Sequence, residues 1–264
     1  MKSLVKLPIY LTVVVSLASA LTPTAADAAV AYVRSMVGAP WGVSTNETAM
    51  SAVFGAGASD WFDLRYESVI AADLFNSTYS FVYMEGGDRN ADELELFFST
   101  HQTLVQNWVA NGGNLLINAA PNEGNGMSFG FGGVNLNYPQ FSGSATAVDP
   151  LHPIFAAGSY GTPGTSFIGY SFSHASVTGP LTPIITGESG TILGEADFGN
   201  GHVLFGGMTT NNFQYPTENS AALRANIIDY AANYSVNAVP EPGHTLALGL
   251  LLGAGFTVRR RLAR

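Results

Sequence analysis

Residues 79–118 read YSFVYMEGGDRNADELELFFSTHQTLVQNWVANGGNLLIN, and this stretch decides the fold. Tyr79–Met84 is a strongly apolar run that stops at Glu85-Gly86-Gly87-Asp88, which reads as a buried strand running into a turn. From Ala91 to Asn111 the apolar residues Leu94, Phe97, Phe98, Leu104, Val105, Trp108 and Val109, with His101 among them, recur at spacings of three and four. That period predicts a helix with one buried face. Asn90 and Glu93 are placed to cap its start, and Asn111-Gly112-Gly113 to end it with a left-handed residue. Leu115-Leu116-Ile117 is then a second buried strand. Strand, helix and strand in close succession form a crossover unit, and the two strands of such a unit lie parallel in one sheet.

Working outward, Val30–Val37 reads as a first strand ending in the turn Gly38-Ala39-Pro40-Trp41-Gly42. Ser44 with Glu47 three residues on has the pattern of a capping box for a helix through about Phe54, followed by a strand near Trp61–Tyr66. Beyond the second buried strand, Pro121–Tyr138 is rich in Gly and Asn and reads as a loop. Short strands are expected near Ala145–Val148, Ser166–Tyr170, Thr182–Ile185, Thr191–Glu195 and His202–Phe205, then a closing helix over about Ser220–Tyr234. No internal repeat is present. The expectation is one α/β domain: a flavodoxin-like parallel sheet with helices on both faces, and a β-rich second half.

Both ends of the chain read as addresses. Lys2 and Lys6 precede an apolar stretch from Leu7 to Ala18, and small-residue triplets follow at Ala18-Ser19-Ala20 and Ala26-Asp27-Ala28. These are the three regions of a secretory signal peptide, assigned to residues 1–28. At the other end Thr245–Val258 carries no charge over 14 residues and is followed by Arg259, Arg260, Arg261 and Arg264. As a helix it would span about 21 Å, short of a bilayer core of about 30 Å. It is a poor permanent anchor, yet it suffices to hold a chain briefly for a processing enzyme. Pro240-Glu241-Pro242 just before it fixes φ twice and removes two backbone donors, giving an extended peptide at the membrane face. With that tripeptide, the short apolar run and the arginines in order, residues 236–264 resemble the sorting signal of PEP-CTERM proteins. The resemblance implies processing by an exosortase-type membrane enzyme, membrane association through the short helix before processing, and delivery to the cell envelope, the outer surface or the medium. Proteins of that kind often accompany exopolysaccharide production, which makes extracellular polysaccharide an expected partner.

Between the addresses, residues 29–238 hold four arginines and no lysine against 17 Asp and Glu, a formal charge of −13. A domain this acidic repels phosphate polyanions, so no nucleic-acid partner is expected. The absence of Cys excludes disulfides, thiolate metal sites and a cysteine nucleophile. The domain, 29–235, also resembles the class I glutamine-amidotransferase-like superfamily near its trehalose-utilisation type, through YSFVYMEGG (79–87), WVANGGNLLINAAP (108–121), HPIF (152–155) and GNGHVLFGG (199–207). In catalytic members the resemblance implies a cysteine on a sharp turn after a central strand, activated by a histidine. Here the corresponding strand end is Asn118-Ala119-Ala120-Pro121, so no catalytic residue is assigned. Phe141-Ser142-Gly143-Ser144 hints at a serine elbow, but no helical pattern follows it.

Open α/β sheets bind ligands beyond the carboxyl ends of their strands. That places Trp41, Glu85, Asp88, Asn122 and Glu123 in a candidate cleft, where the Trp41 ring could stack on a sugar and the carboxylates and amides take its hydroxyls. The same residues have plainer roles open to them: Trp41 covering the sheet end, Asp88 preceding a helix N-terminus, and Asn122 and Glu123 solvated in a loop. His101, His152, His174, His202 and His244 show no HExxH spacing, and Asp92, Glu93 and Glu95 lack the calcium-loop pattern, so neither a metal site nor a cofactor is expected. The expected function is a noncatalytic envelope or extracellular protein that binds or structures exopolysaccharide. The alternative is a carbohydrate hydrolase using carboxylates at the strand ends.

Overall fold

The computed structural model describes residues 28–156 and 158–235. The signal peptide (apart from Ala28) and the sorting signal expected over 236–264 therefore lie outside the described residues. Among the described residues no helix is long and apolar enough to cross a membrane.

The first half alternates as read, with one short helix, α2, that was not expected: β1 (Ala29–Arg34), α1 (Thr45–Phe54), β2 (Phe62–Arg65), α2 (Ala71–Leu74), β3 (Tyr79–Glu85), α3 (Ala91–Ala110) and β4 (Asn114–Asn118). The second half comprises β5 (Met127–Gly130), β6 (Val134–Asn137), β7 (Ser142–Ala147), α4 (Pro153–Ala156), β8 (Ser166–Ser173), β9 (Ser176–Thr178), β10 (Thr182–Gly187), β11 (Gly190–Phe198), β12 (Gly201–Gly206), β13 (Gln214–Tyr215) and α5 (Thr217–Asn233). Ten strands form one sheet in the order β13-β8-β7-β10-β11-β12-β4-β3-β1-β2. From β12 to β2 every neighbour pair is parallel, and from β12 outward to β13 every pair is antiparallel. The parallel part has the flavodoxin-type order, and five strands of the β-rich second half, β7, β8, β10, β11 and β13, extend the same sheet in antiparallel fashion.

Helices cover both faces. Phe97, Phe98, Val105 and Val109 of α3 pack with Val82, Met84, Leu115 and Ile117 on one face, and Leu223, Ile227 and Ile228 of α5 with Tyr32, Phe81 and Leu204 on the other. Each such fully buried side chain contributes about 1.5–3 kcal/mol. The residues read as a loop over 121–138 contain a hairpin, β5–β6, which β9 completes as a three-stranded sheet. Met127, Phe129, Val134 and Leu136 alternate inward beneath the Gly- and Asn-rich composition and bury Phe129 against Phe98 and Phe205. Ser142 begins strand β7, which leaves no place for a serine elbow there.

Two capping expectations are corrected. Ser44 stands at the N-cap of α1 without a side-chain cap bond, and Glu47 faces Arg34 at 3.5 Å instead of reaching back. Asn90 likewise precedes α3 without capping it. Its side chain accepts from the Ser35 amide at 2.8 Å and donates to the carbonyls of Gly38 and Gly87, tying the loop after β1 to the loop after β3. The C-terminus of α3 ends as expected, with Gly112 at φ 108° and the Gly113 amide donating to Trp108 O at 3.1 Å.

Candidate functional site

The chain leaves β1 toward β2 on one side and returns to β3 on the other, so the loops after β1 and β3 diverge and open a crevice at the carboxyl end of the sheet. The loop after β1 holds Gly38, Trp41 and Gly42 in left-handed conformations, at φ 117°, 52° and 69°. Glycine accepts that region freely; a tryptophan there costs roughly 1–3 kcal/mol and must be held. Asp88, itself at φ 54°, does the holding: its Oδ2 accepts from the Trp41 amide at 3.0 Å. The other carboxylate oxygen accepts from Asn122 Nδ2 at 2.9 Å. Backbone bonds from Asp88 N to Ala120 O and from Asn122 N to Asp88 O, at 2.9 and 3.1 Å, join the loops after β3 and β4. Trp41, Asp88 and Asn122 are thus brought together into one shelf.

The Trp41 ring meets His174 and Phe213 edge to face, with centroids 5.5 and 5.3 Å away, and Phe141 lies 5.0 Å beyond His174. His174 Nδ1 is 2.8 Å from Pro121 O. A carbonyl can only accept, so Nδ1 carries the proton and the neutral ring keeps Nε2 as an acceptor. Burial lowers the His174 pKa against the opposing pull of the Pro121 carbonyl and Asp88, which keeps that neutral form at pH 7. A cleft of about 190 Å³ opens beside Trp41 and Asp88, walled by Gly38, Ala39, Arg89 and Asn90.

Glu85 is placed differently. It is 1 % exposed, beneath the shelf. Its Oε1 accepts from the Gly87 amide at 2.5 Å, and its Oε2 from Asn46 Nδ2 at 2.5 Å and Tyr83 Oη at 2.8 Å. Buried Arg224 donates to Tyr83 Oη at 3.1 Å and to Thr209 O at 2.6 Å, which ties α5 to β3 through this group. Burial pushes the Glu85 carboxyl up to about 7, against the pull of Arg224, Tyr83 and the Gly87 amide. Gly87 separates it from the shelf: a Cβ there would lie 2.7 Å from Glu85 Oε1 and 3.3 Å from the Trp41 ring. Glu123 lies at the first turn of α3, where burial and then Asp92 and Glu93 raise its pKa. The Asp88 charge adds to that rise and the Asp92 amide opposes it; no hydrogen bond joins Glu123 to Trp41 or Asp88.

Phe213, Asn46 and Arg224 were not expected at the site, and His174 and Phe141 were named only among the scattered histidines and in the Phe141-Ser142-Gly143-Ser144 pattern. Only Arg224 carried a signal, as the one cation on the apolar closing helix. Among the described residues, no group of three His, Asp or Glu side chains has the geometry to hold a metal ion.

No protein-family model matches this chain, and no curated protein sequence does. Solved structures that superpose on it include a cytoplasmic protein of Salmonella typhimurium, at 13% identity and a TM-score of 0.47, covering 77% of this chain and 98% of that one. The β-galactosidase of Bacillus circulans does so at 13% identity and a TM-score of 0.42, over 76% of this chain and 30% of the enzyme. A ThuA-like protein of Bacteroides uniformis matches at 13% identity and a TM-score of 0.40, over 76% of this chain and 91% of its own.

Proposed function

We propose that this is an exported, noncatalytic protein of the cell envelope or extracellular matrix that binds carbohydrate at the Trp41–Asp88–Asn122 shelf. In this reading the domain is a nucleophile-free relative of the trehalose-utilisation type. Pro240, Glu241 and Pro242, the short apolar run and Arg259–Arg261 hand the chain to an exosortase-type enzyme, and exopolysaccharide is what the shelf holds or structures. One observation carries the binding reading over the hydrolase reading. Trp41 and Asp88 line the cleft, with exposed Asn122 bonded to Asp88, whereas the neighbouring carboxyl, Glu85, is sealed beneath Gly87 with both oxygens engaged. Glycosidase chemistry uses two carboxyl groups about 5–10 Å apart that both reach the scissile bond. Glu123, the carboxylate whose pKa the Asp88 charge also raises, is held by the Asp92 amide and is not among the residues lining the cleft beside Trp41.

The sorting part is tested by intact-mass measurement of the protein recovered from membrane and medium. Loss of the residues beyond the Pro-Glu-Pro tripeptide in the released form is expected; a terminus that always keeps Arg264 would sink it. The noncatalytic part is tested by sugar release from polysaccharide with the wild type, Asp88→Asn and Glu123→Gln. Release above background that the substitutions abolish would establish the hydrolase instead.

A further inference from the structure

A groove of about 510 Å³ lies at the amino ends of β1 and β3, far from the shelf. The six residues of β1 put the two sites about 20 Å apart. Its volume is within the roughly 300–1,000 Å³ usual for small-molecule sites. Half-buried Tyr79 supplies aromatic surface over a floor formed by Phe75 and Trp108, themselves only 5 % and 7 % exposed, and Asn76, Asn107 and Asn111 supply amides. None of the lining residues is charged, in a domain with 17 carboxylates. Asp73 acts on the Tyr79 phenol from outside the lining.

The wall is built before any ligand arrives. Trp108 Nε1 donates to Asn76 O at 3.1 Å, and Phe75 meets the indole edge to face at 5.4 Å. Gly113 lies against the indole so closely that a Cβ there would be 2.4 Å from the ring. The rim, by contrast, has polar capacity to spare. Asn111 donates to Asn107 O at 2.8 Å and Asn76 Oδ1 accepts from the Thr78 amide at 2.7 Å. Asn111 Oδ1, Asn76 Nδ2 and the whole Asn107 side-chain amide take no bond among the described residues.

We propose that this groove is a second carbohydrate site, for a short neutral oligosaccharide. Amides donate and accept side by side, as vicinal hydroxyls require, and an aromatic wall suits the apolar face of a sugar ring. No cation is present to meet a phosphate, carboxylate or sulfate. A second copy of this chain carries the same strong negative charge, which opposes its docking here. The site rests on the chemistry of the groove and stands whether or not the Trp41 shelf binds sugar. Two sites at opposite ends of one domain would let a single chain bridge two glycan strands.

The test uses the full chain in detergent micelles with neutral hexasaccharides of α-1,4-, β-1,4- and β-1,3-linked glucose, read by the three tryptophan indole N–H resonances and by calorimetry. At least one sugar is expected to move the Trp108 resonance. Asn107→Ala with Asn111→Ala should weaken that response at least tenfold; both residues are exposed, so the fold is retained. Trp41→Ala should leave it unchanged. The proposal is overturned if no probe moves Trp108, or if the asparagine variant binds as well as the wild type. It is overturned too if Trp41→Ala abolishes the response.

Discussion

Burying Glu85 has a cost that can be read as a function of pH. Its folded pKa of about 7 stands above the ordinary value of 4.5, so between those values the folded state holds a proton that the unfolded state has lost. Stability from this group is therefore fully present below pH 4.5, falls by about 1.4 kcal/mol per pH unit as pH rises, and is lost above pH 7. The whole effect is about 3 kcal/mol. Glu85→Gln removes the titration and keeps the shape, at a fixed cost of roughly 1–2 kcal/mol because its amide NH₂ faces the Asn46 donor. The wild type should be the more stable of the two at pH 5 and the less stable at pH 8. For a chain of this size the difference in Tm should swing by about 6–12 °C between those conditions. Urea titrations of both proteins at pH 5, 6, 7 and 8 measure this, since the two proteins differ only at this group. Two stability curves that stay parallel across this range would refute the claim that Glu85 is buried as a titrating acid.

Gly87→Ala should destabilise by about 1–3 kcal/mol and alter the near-UV signal of Trp41, because its Cβ must displace the Glu85 carboxyl; an unchanged melting temperature and spectrum would contradict the packing described. Asp88→Ala leaves the Trp41 amide and the Asn122 side chain without their acceptor and should cost about 1–3 kcal/mol in chemical denaturation, more than Glu123→Ala, which touches neither. Glu195 gives the opposite pH signature to Glu85. Although partial burial acts to raise it, the His152 ring 3.4 Å away and hydrogen bonds with His202 and Tyr230 hold it down to about 2, so its stabilisation is present above pH 4.5 and lost as pH falls toward 2. After solvent screening this amounts to roughly 1–2 kcal/mol, and Glu195→Gln should flatten the acid limb of the stability curve by that much.

The crossover unit β3–α3–β4 was legible because its strands are buried on both faces and its helix on one, so apolar spacing reports the geometry directly. The hairpin β5–β6 was not, since Gly130, Gly132 and Gly133 supply its turn and hide the alternation of Met127, Phe129, Val134 and Leu136. The antiparallel extension, its two-residue edge strand β13 apart, was legible as strands but not as one sheet, because pairing between short strands far apart in the chain leaves no local mark. The site divides the same way. Trp41, Asp88 and Asn122 follow from the rule that places ligands at strand ends, whereas the sealing of Glu85 depends on Arg224, whose partner Tyr83 is 141 positions away. His174 takes its tautomer from a carbonyl 53 positions distant, and no local pattern announces it.

Co-sedimentation with the extracellular polysaccharide of the producing cell, with reducing ends counted in the same tube, tests most directly the claim that this domain binds carbohydrate without cleaving it. The protein should pellet with the polymer, and no new reducing ends should form. Protein left in the supernatant, or reducing ends that rise with time, would contradict it.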